Sequence, residues 1–483
     1  MYLGIKNGIL RCLEDCPDYN SNMIKLTVNA DGIPLFKSSA VDLWPILGMF
    51  VYPHPFVISL YVGEGKPNDP VEFLEDFLNE CKDLKTNGIV TNDNRHFDFL
   101  VWCLTCDAPA RQLIKCIKGH GGYFACERCT VKGEREDNRS VFLSINESER
   151  SDEEFNQFSY AGSHQHTPSP IIGSGIKCIK DFPLDYMHLV CLGVVKRLLQ
   201  FFKDGPRLCR LSHGQLSRIS QRLQTYRGKM PSEFARQPRG LDQLSRFKAT
   251  EFRSFIAYYG CVVLSDILTE PAYKHFLSLV CAIRVLLDEN DAHRNHYLDF
   301  AKELLQFFTD NAFTFYTKSF VVYNPHSLIH LPDDCRRFNV CLDKLSCFPF
   351  ENHLQILKKL VRNATNPLVS VVKRIKELEN AGIKKISKVI FTKISKNPRD
   401  SWFLLDNDEI ICVKEIQSST TFLCEVYRRN ELNDFFTTPP CDSSVVGIFH
   451  LPKIKMNNRE RHVVYQAHIK RKVSCLEVET GNV

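Results

Sequence analysis

No part of this 483-residue chain is apolar for long enough to cross a membrane. The longest apolar run, Met49 to Val62, is broken by Pro53, His54 and Pro55, whereas a spanning helix needs roughly 18–20 such residues. Glycine and proline are unremarkable at 23 each, which excludes collagen-like and low-complexity architectures. No repeat of solenoid period occurs. The first residues, MYLGIKNGILRCLEDC, carry acids early and have no small-residue cleavage site. They do not read as a secretory signal, and the expectation is a soluble intracellular protein without membrane partners. Net charge is small, 62 Lys and Arg against 56 Asp and Glu. With 44% hydrophobic and 24% charged residues the chain is not disordered, and its length implies two or three folded units.

What is present is unevenly placed. Lys196 to Arg253 holds fourteen basic against four acidic residues, and Lys358 to Arg399 holds twelve against two. Two such blocks on a nearly balanced chain point to polyanion contact, the alternative being solvated helix faces. Alternating apolar residues predict strands over 22–30, 56–63 and 96–106, and helical spacing predicts a helix over 70–85. Residues 133–155 are polar and read as a surface excursion. Beyond Pro183 long helical patterns follow, then a second helix-rich stretch over 350–381, and short β-patterned runs from about 400. The implied organisation is residues 1–130, a mainly helical 131–325, a return over 326–398, and a small β module over 399–483.

Asp31 and Asp107 each end a predicted strand, and Glu351 opens a helix whose Phe350, Leu354, Leu357 and Val361 form one stripe. Two strand-end acids plus one helical acid is how a ribonuclease H-like α/β core gathers carboxylates around divalent ions. The twenty cysteines should be reduced in a chain that is not exported, which favours metal ligands and buried thiols. C-x-x-C occurs at Cys103/Cys106 and at Cys126/Cys129. These four have zinc-ribbon spacing; alternatively, Cys126 and Cys129 join His326 and His330. Alternation would send Cys103 and Cys106 to opposite faces of a strand, a poor arrangement for one ion.

TVNADGIPLFKSSAVDLWPILG, CDAPARQLIKCIKGHGGYFACERC, DFPLDYMHLVCLGVVKRLL and NPHSLIHLPDDCRRF…FPFENHLQILKKLVRN occur in this order. Together they resemble the catalytic region of En/Spm (CACTA) type DNA transposases over about residues 25–365. Asn352 stands where plant members carry Arg. The offsets are also similar to those of the immune V(D)J recombinase core, with Cys126 and Cys129 following Asp107 and His326 preceding Glu351 by 25 residues. That similarity favours Cys126, Cys129, His326 and His330 as the zinc ligands. The resemblance implies a ribonuclease H-like core interrupted by a helical insertion. Asp31, Asp107 and Glu351 would hold Mg2+ or Mn2+, and the substrate would be double-stranded DNA at transposon ends and target sites. It further implies nuclear localisation and a homodimer. His188 and His120 are auxiliary candidates, the alternative for His188 being a polar residue satisfied at a helix start with Asp185 as N-cap. Arg246, Lys248 and Arg253, on one helix, and Lys358, Lys359 and Arg362 are the expected DNA contacts. The second reading is a truncated or domesticated transposon-derived DNA- or chromatin-binding protein that keeps the fold without catalysis.

Overall fold

The computed structural model describes residues 1–36, 40–361, 366–380, 393–437, 440–452 and 459–476. It divides into two compact units, residues 1–190 with 318–387, and residues 191–317 with 388–483.

The first unit begins with α1 (Ile5–Asp15) and the strands β1 (Met23–Ala30), β2 (Ile33–Pro34), β3 (Val41–Met49) and β4 (Phe56–Glu64). There follow α2 (Pro70–Asn87), β5 (Ile89–Val90), β6 (His96–Leu104) and α3 (Ala108–Lys115). Local chemistry sets α2: Asp69 accepts the Val71 amide at 2.7 Å, Pro70 opens the helix, and Gly88, at φ 66°, closes it. The sheet runs β2-β3-β1-β6-β5, with β4 also on β3. β1 is antiparallel to β3 and parallel to β6. Val28 pairs with Leu104, so Asp31 and Asp107, each three residues on, leave neighbouring parallel strands at one level.

β3 was not legible in the sequence. Trp44 and Ile46 pack toward α1 and α2, while Leu43, Leu47 and Met49 pack with Phe350, Leu354 and Leu357 on the opposite side. A strand buried on both faces loses its alternation. Pro45 is tolerated because β2 pairs with β3 only at residues 42–43 and β1 only at 46–49, so no neighbour on that side needs its amide.

Next come the hairpin β7 (Glu134–Glu136) and β8 (Arg139–Val141), α4 (Asp152–Asn156) and a π-helix, Met187–Val195. The expected surface excursion is only partly at the surface. Val141 and Phe142 are buried, and the Phe142 amide donates to the Val321 carbonyl at 2.8 Å. The expected start of the insertion at 131 also shifts, because Ile171, Cys178 and Phe182 belong to the first unit's core and Leu184 bridges to Cys106.

The second unit supplies α5 (Lys196–Asp204), α6 (His213–Thr225), α7 (Ala249–Ser254), α8 (Gly260–Leu264), α9 (Glu270–Leu286), α10 (Asp291–His296) and α11 (Leu298–Tyr316). The chain then returns to the first unit through α12 (Tyr323–Ser327), α13 (Leu331–Phe338), α14 (Phe348–Leu360) and α15 (Pro367–Asn380). The C-terminal run contributes β9 (Trp402–Leu405), β10 (Ile410–Ile416), β11 (Thr421–Tyr427), β12 (Asn433–Asp434), β13 (Phe449–His450), β14 (Arg461–Tyr465) and β15 (Ile469–Lys472). Five of these form an antiparallel sheet ordered β14-β11-β10-β9-β15 around Phe403, Ile411, Val413 and Phe422. It is not a separate module: Arg284 of α9 donates to the Val446 carbonyl at 2.6 Å, and Lys472 bridges Glu233 and Asp400 at 2.6 and 3.0 Å. The chain is therefore of mixed α/β class.

Candidate metal centres

Asp31 directly follows β1, and its carboxylate accepts the Gly32 amide at 2.7 Å. A Cβ at residue 32 would run into the indole of Trp44, so only glycine fits there. Asp107 caps α3, accepting the Ala110 amide at 2.8 Å. Glu351 lies in the first turn of α14. Oxygens of Asp31 and Glu351 and a ring nitrogen of His188 all lie within 4.8 Å of one another. Asp107 stands outside that closest set, yet its charge acts on Asp31. Burial first, then Asp107 and Glu351, push the Asp31 carboxyl well above the usual range, and Asp31 shares a hydrogen bond with Glu351. Carboxyl groups crowded in this way favour a cation among them. Their oxygens suit a hard divalent ion.

Asp185 organises this site from below. It is 1% exposed and accepts the Met187 and His188 amides at 3.2 and 2.8 Å, capping the π-helix. It also accepts the Cys347 amide at 2.7 Å and His188 Nδ1 at 2.7 Å, which fixes the chain just before α14 and the imidazole together. Burial opposes a charge on His188, but the bond and charge of Asp185, reinforced by Asp31 and Asp107, hold it up at about 9. The sequence offered His188 as either an auxiliary group or a capped helix start. The structure gives Asp185 the cap and turns the His188 ring toward the acids.

A second centre lies elsewhere in the same unit. Cys126 Sγ and Cys129 Sγ are 3.5 Å apart, Cys129 Sγ is 3.3 Å from His326 Nε2, and Cys126 Sγ is 3.5 Å from His330 Nε2. A tetrahedral zinc ion holds two sulfurs about 3.8 Å apart and a sulfur about 3.5 Å from a nitrogen. The Arg128 and Cys129 amides both point to Cys126 Sγ at 3.4 Å. Although burial opposes it, the hydrogen bond from Cys129 and the two imidazoles pull the Cys126 thiol well below its ordinary range. Cys129, donating that bond and buried, is held above it. Two buried thiolates this close repel, and a dication resolves the conflict. These residues fit zinc. Cys103 and Cys106 are not among them. Cys103 faces the hydroxyls of Thr27 and Thr105, and Cys106 Sγ accepts the Ala30 amide at 3.4 Å, so the four-cysteine ribbon does not form.

Sequence reasoning missed what joins the two centres. Glu127, between the paired cysteines, is buried and meets Arg111 at 2.8 Å, Lys115 at 2.6 Å and the Tyr323 hydroxyl at 2.7 Å. Arg111 also donates to the carbonyl of Cys106, the residue before Asp107. Burial raises the Glu127 carboxyl, but Arg111 and Lys115 outweigh it and hold it well below its usual range. The sequence signal was slight, since Arg111, Lys115 and Glu127 are only three of the six charges between Cys106 and Cys129.

The remaining candidates scatter. His120 is exposed, its ring 6.4 Å from that of Tyr323, and it is not among the acid cluster's ligand groups. Arg246, Lys248 and Arg253 do not share a helix: Arg246 ends a 3-10 turn, Lys248 precedes α7, and only Arg253 lies on it. The break comes from Phe247 in extended conformation and from Glu251 of α7 accepting the Lys248 amide at 2.8 Å. Part of the first basic block is neutralised, since Arg218 and Arg222 pair with Asp266 and Arg239 with Glu251. Lys358 is half-buried and donates to the Pro34 carbonyl, and Lys359 is exposed. Arg362 lies outside the described residues.

Among the described residues no helix is long and apolar enough to cross a membrane. No curated protein matches the chain. A family model described as a domain of unknown function (DUF8592) matches residues 365–483, which include α15 and the C-terminal sheet and none of the metal-centre residues.

Proposed function

We propose that this chain is a DDE-type DNA transposase of the En/Spm kind, catalysing phosphodiester hydrolysis and strand transfer at transposon ends in the nucleus. The observation that carries the reading is the shared level of Asp31 and Asp107 on parallel strands, with Glu351 brought beside Asp31 from α14. The order β4-β3-β1-β6, with β1, β3 and β4 antiparallel and β6 parallel to β1, supports a ribonuclease H-like core. Divalent ions, when bound, activate the attacking hydroxyl and stabilise the leaving oxygen of an in-line displacement. Asp31, Asp107 and Glu351 would hold them. Lys358, two helical turns beyond Glu351 on the same face, would meet a phosphate on releasing the Pro34 carbonyl. Zinc at Cys126, Cys129, His326 and His330 would fasten the return of the chain after residue 317, and with it α14, to the strand-end acids.

The test is strand cleavage of DNA carrying terminal repeats by the purified chain with Mg2+ or Mn2+. Asp31→Ala, Asp107→Ala and Glu351→Ala should each abolish nicking and leave DNA affinity nearly unchanged. Charge reversal at Lys358 and Lys359 should flatten the salt dependence of binding, by about one unit of slope for each phosphate no longer neutralised. Equal nicking by Asp107→Ala overturns the assignment. Salt-dependent binding without any cleavage returns the domesticated DNA- or chromatin-binding reading.

A further inference from the structure

His188 carries more than the proposed reaction asks of it. Its Nδ1 is tied to Asp185 at 2.7 Å, and Asp185 is itself held by three backbone amides. That fixes the ring's direction and leaves Nε2 as the free corner. Nε2 lies 3.7 Å from Glu351 Oε1, beyond hydrogen-bonding reach, and a ring nitrogen of His188 lies within 4.8 Å of an Asp31 oxygen. Two ligands of one ion with bonds of about 2.1 Å sit roughly 3.0–3.7 Å apart, so the gap has the size of a shared ion. A histidine whose far nitrogen is held by a buried carboxylate is the usual outer support of a metal-bound imidazole. The residue also sits on the first turn of a π-helix, a widened turn commonly found at functional sites.

We propose that His188 Nε2 is a direct ligand of the divalent ion held by Asp31 and Glu351, making that centre one imidazole and two carboxylates. This rests on the acid cluster being a metal site, as the proposed function requires. Asp107, outside this set, is left to hold the second ion beside Asp31. An imidazole favours borderline ions over Mg2+, so the class of cofactor is Mn2+-like. Asp185 is the positioning residue, acting through His188.

The experiment is pulsed EPR of Mn2+ bound to the full chain, with zinc supplied first so that His326 and His330 are occupied. The expected result is nitrogen modulation on the manganese echo that changes to the 15N pattern when histidine is 15N-labelled. His188→Gln should erase it and weaken Mn2+ binding by about 10–100-fold, and Asp185→Asn should weaken binding by about tenfold. The labelling measurement needs no variant, so misfolding of either cannot hide the answer. Bound Mn2+ without nitrogen modulation, or modulation that survives His188→Gln, overturns the ligand and leaves the carboxylate site standing. Mn2+ binding unaffected by Asp31→Asn with Glu351→Gln overturns the acid cluster itself.

Discussion

The two units bury different chemistry. The first encloses Arg111, Lys115, Glu127, Asp185 and Asp334, each within 4% exposure, in bonded networks that join strand ends, helix starts and the cysteine pair. The second fills its interior with the apolar faces of α9 and α11, Phe276 to Leu286 against Leu298 to Tyr316. Two histidines condense the contrast. His188 has one nitrogen on a carboxylate and the other facing acids, and is held up at about 9. His275 stacks on Phe308 and Phe315 at 4.5 and 4.4 Å, and both its nitrogens are used, on Tyr316 and the Phe308 carbonyl. Burial pushes it down to about 4. An interior charge costs several kcal/mol unless paired; the first unit gathers such groups where they position something, and the second keeps its few, Glu251, Arg294 and Asp400, paired with Arg239, Asp291 and Lys472.

That contrast can be broken in graded ways. Removing zinc by chelation, or by Cys126→Ser, should have the largest effect, since structural zinc is worth roughly 10 kcal/mol in small metal-folded peptides. Zinc content and the thermal midpoint should fall together, while Cys103→Ser leaves zinc in place. A midpoint indifferent to zinc would make the first unit an ordinary apolar fold. Phe276→Ala should cost about 3–5 kcal/mol by opening a cavity in α9. Its signature is lost stability in denaturant melts with stoichiometric zinc retained.

Acid should weaken the second unit through His275. Its folded-state value lies below the unfolded one near 6.5, so the unfolded chain takes up the proton first. Stability is complete above about pH 6.5 and declines as pH falls toward 4, by about 2 kcal/mol between pH 7.5 and 5. Melts of the parent and of His275→Leu at those two pH values check this, the variant showing the shallower decline. The smallest effect runs the other way. Asp31→Asn removes one of three crowded acids and should raise metal-free stability by about 1 kcal/mol, while Mn2+ binding, read by titration calorimetry, is lost.

Much of this was legible in the sequence. β1 and β6 alternate, α2 carries its own caps, and strand-end acids can be named from pattern alone. β3 could not be read, because a strand covered on both faces has no period and Pro45 argues against it. The pairing of Cys126 and Cys129 with His326 and His330 was open from spacing, since the ligands are almost 200 residues apart and only folding brings them within one shell. Asp185 was legible as a cap. That its carboxylate also holds Cys347 and His188 was not, because one residue type serves both tasks. The break between Arg246 and Arg253 was hidden for a similar reason: apolar spacing runs through Phe247, whose backbone is extended.

Asp334 accepts the Leu184 amide at 2.8 Å and pairs with Arg128 at 2.7 Å, so α13, which follows the excursion over residues 191–317, is tied to the chain that precedes it. In polymer terms these bonds, with the cysteine–histidine cluster, are the knot at the neck of a loop. Closing a loop costs entropy that grows only with the logarithm of its length, about 0.6 kcal/mol for each doubling. Once the neck is tied, the excursion's length itself adds little closure entropy, and changes that spare the packed core of α9 and α11 need not shift Glu351. A deletion series within residues 191–317 should therefore leave Mn2+ affinity at the acids level until the remaining chain is too short to return.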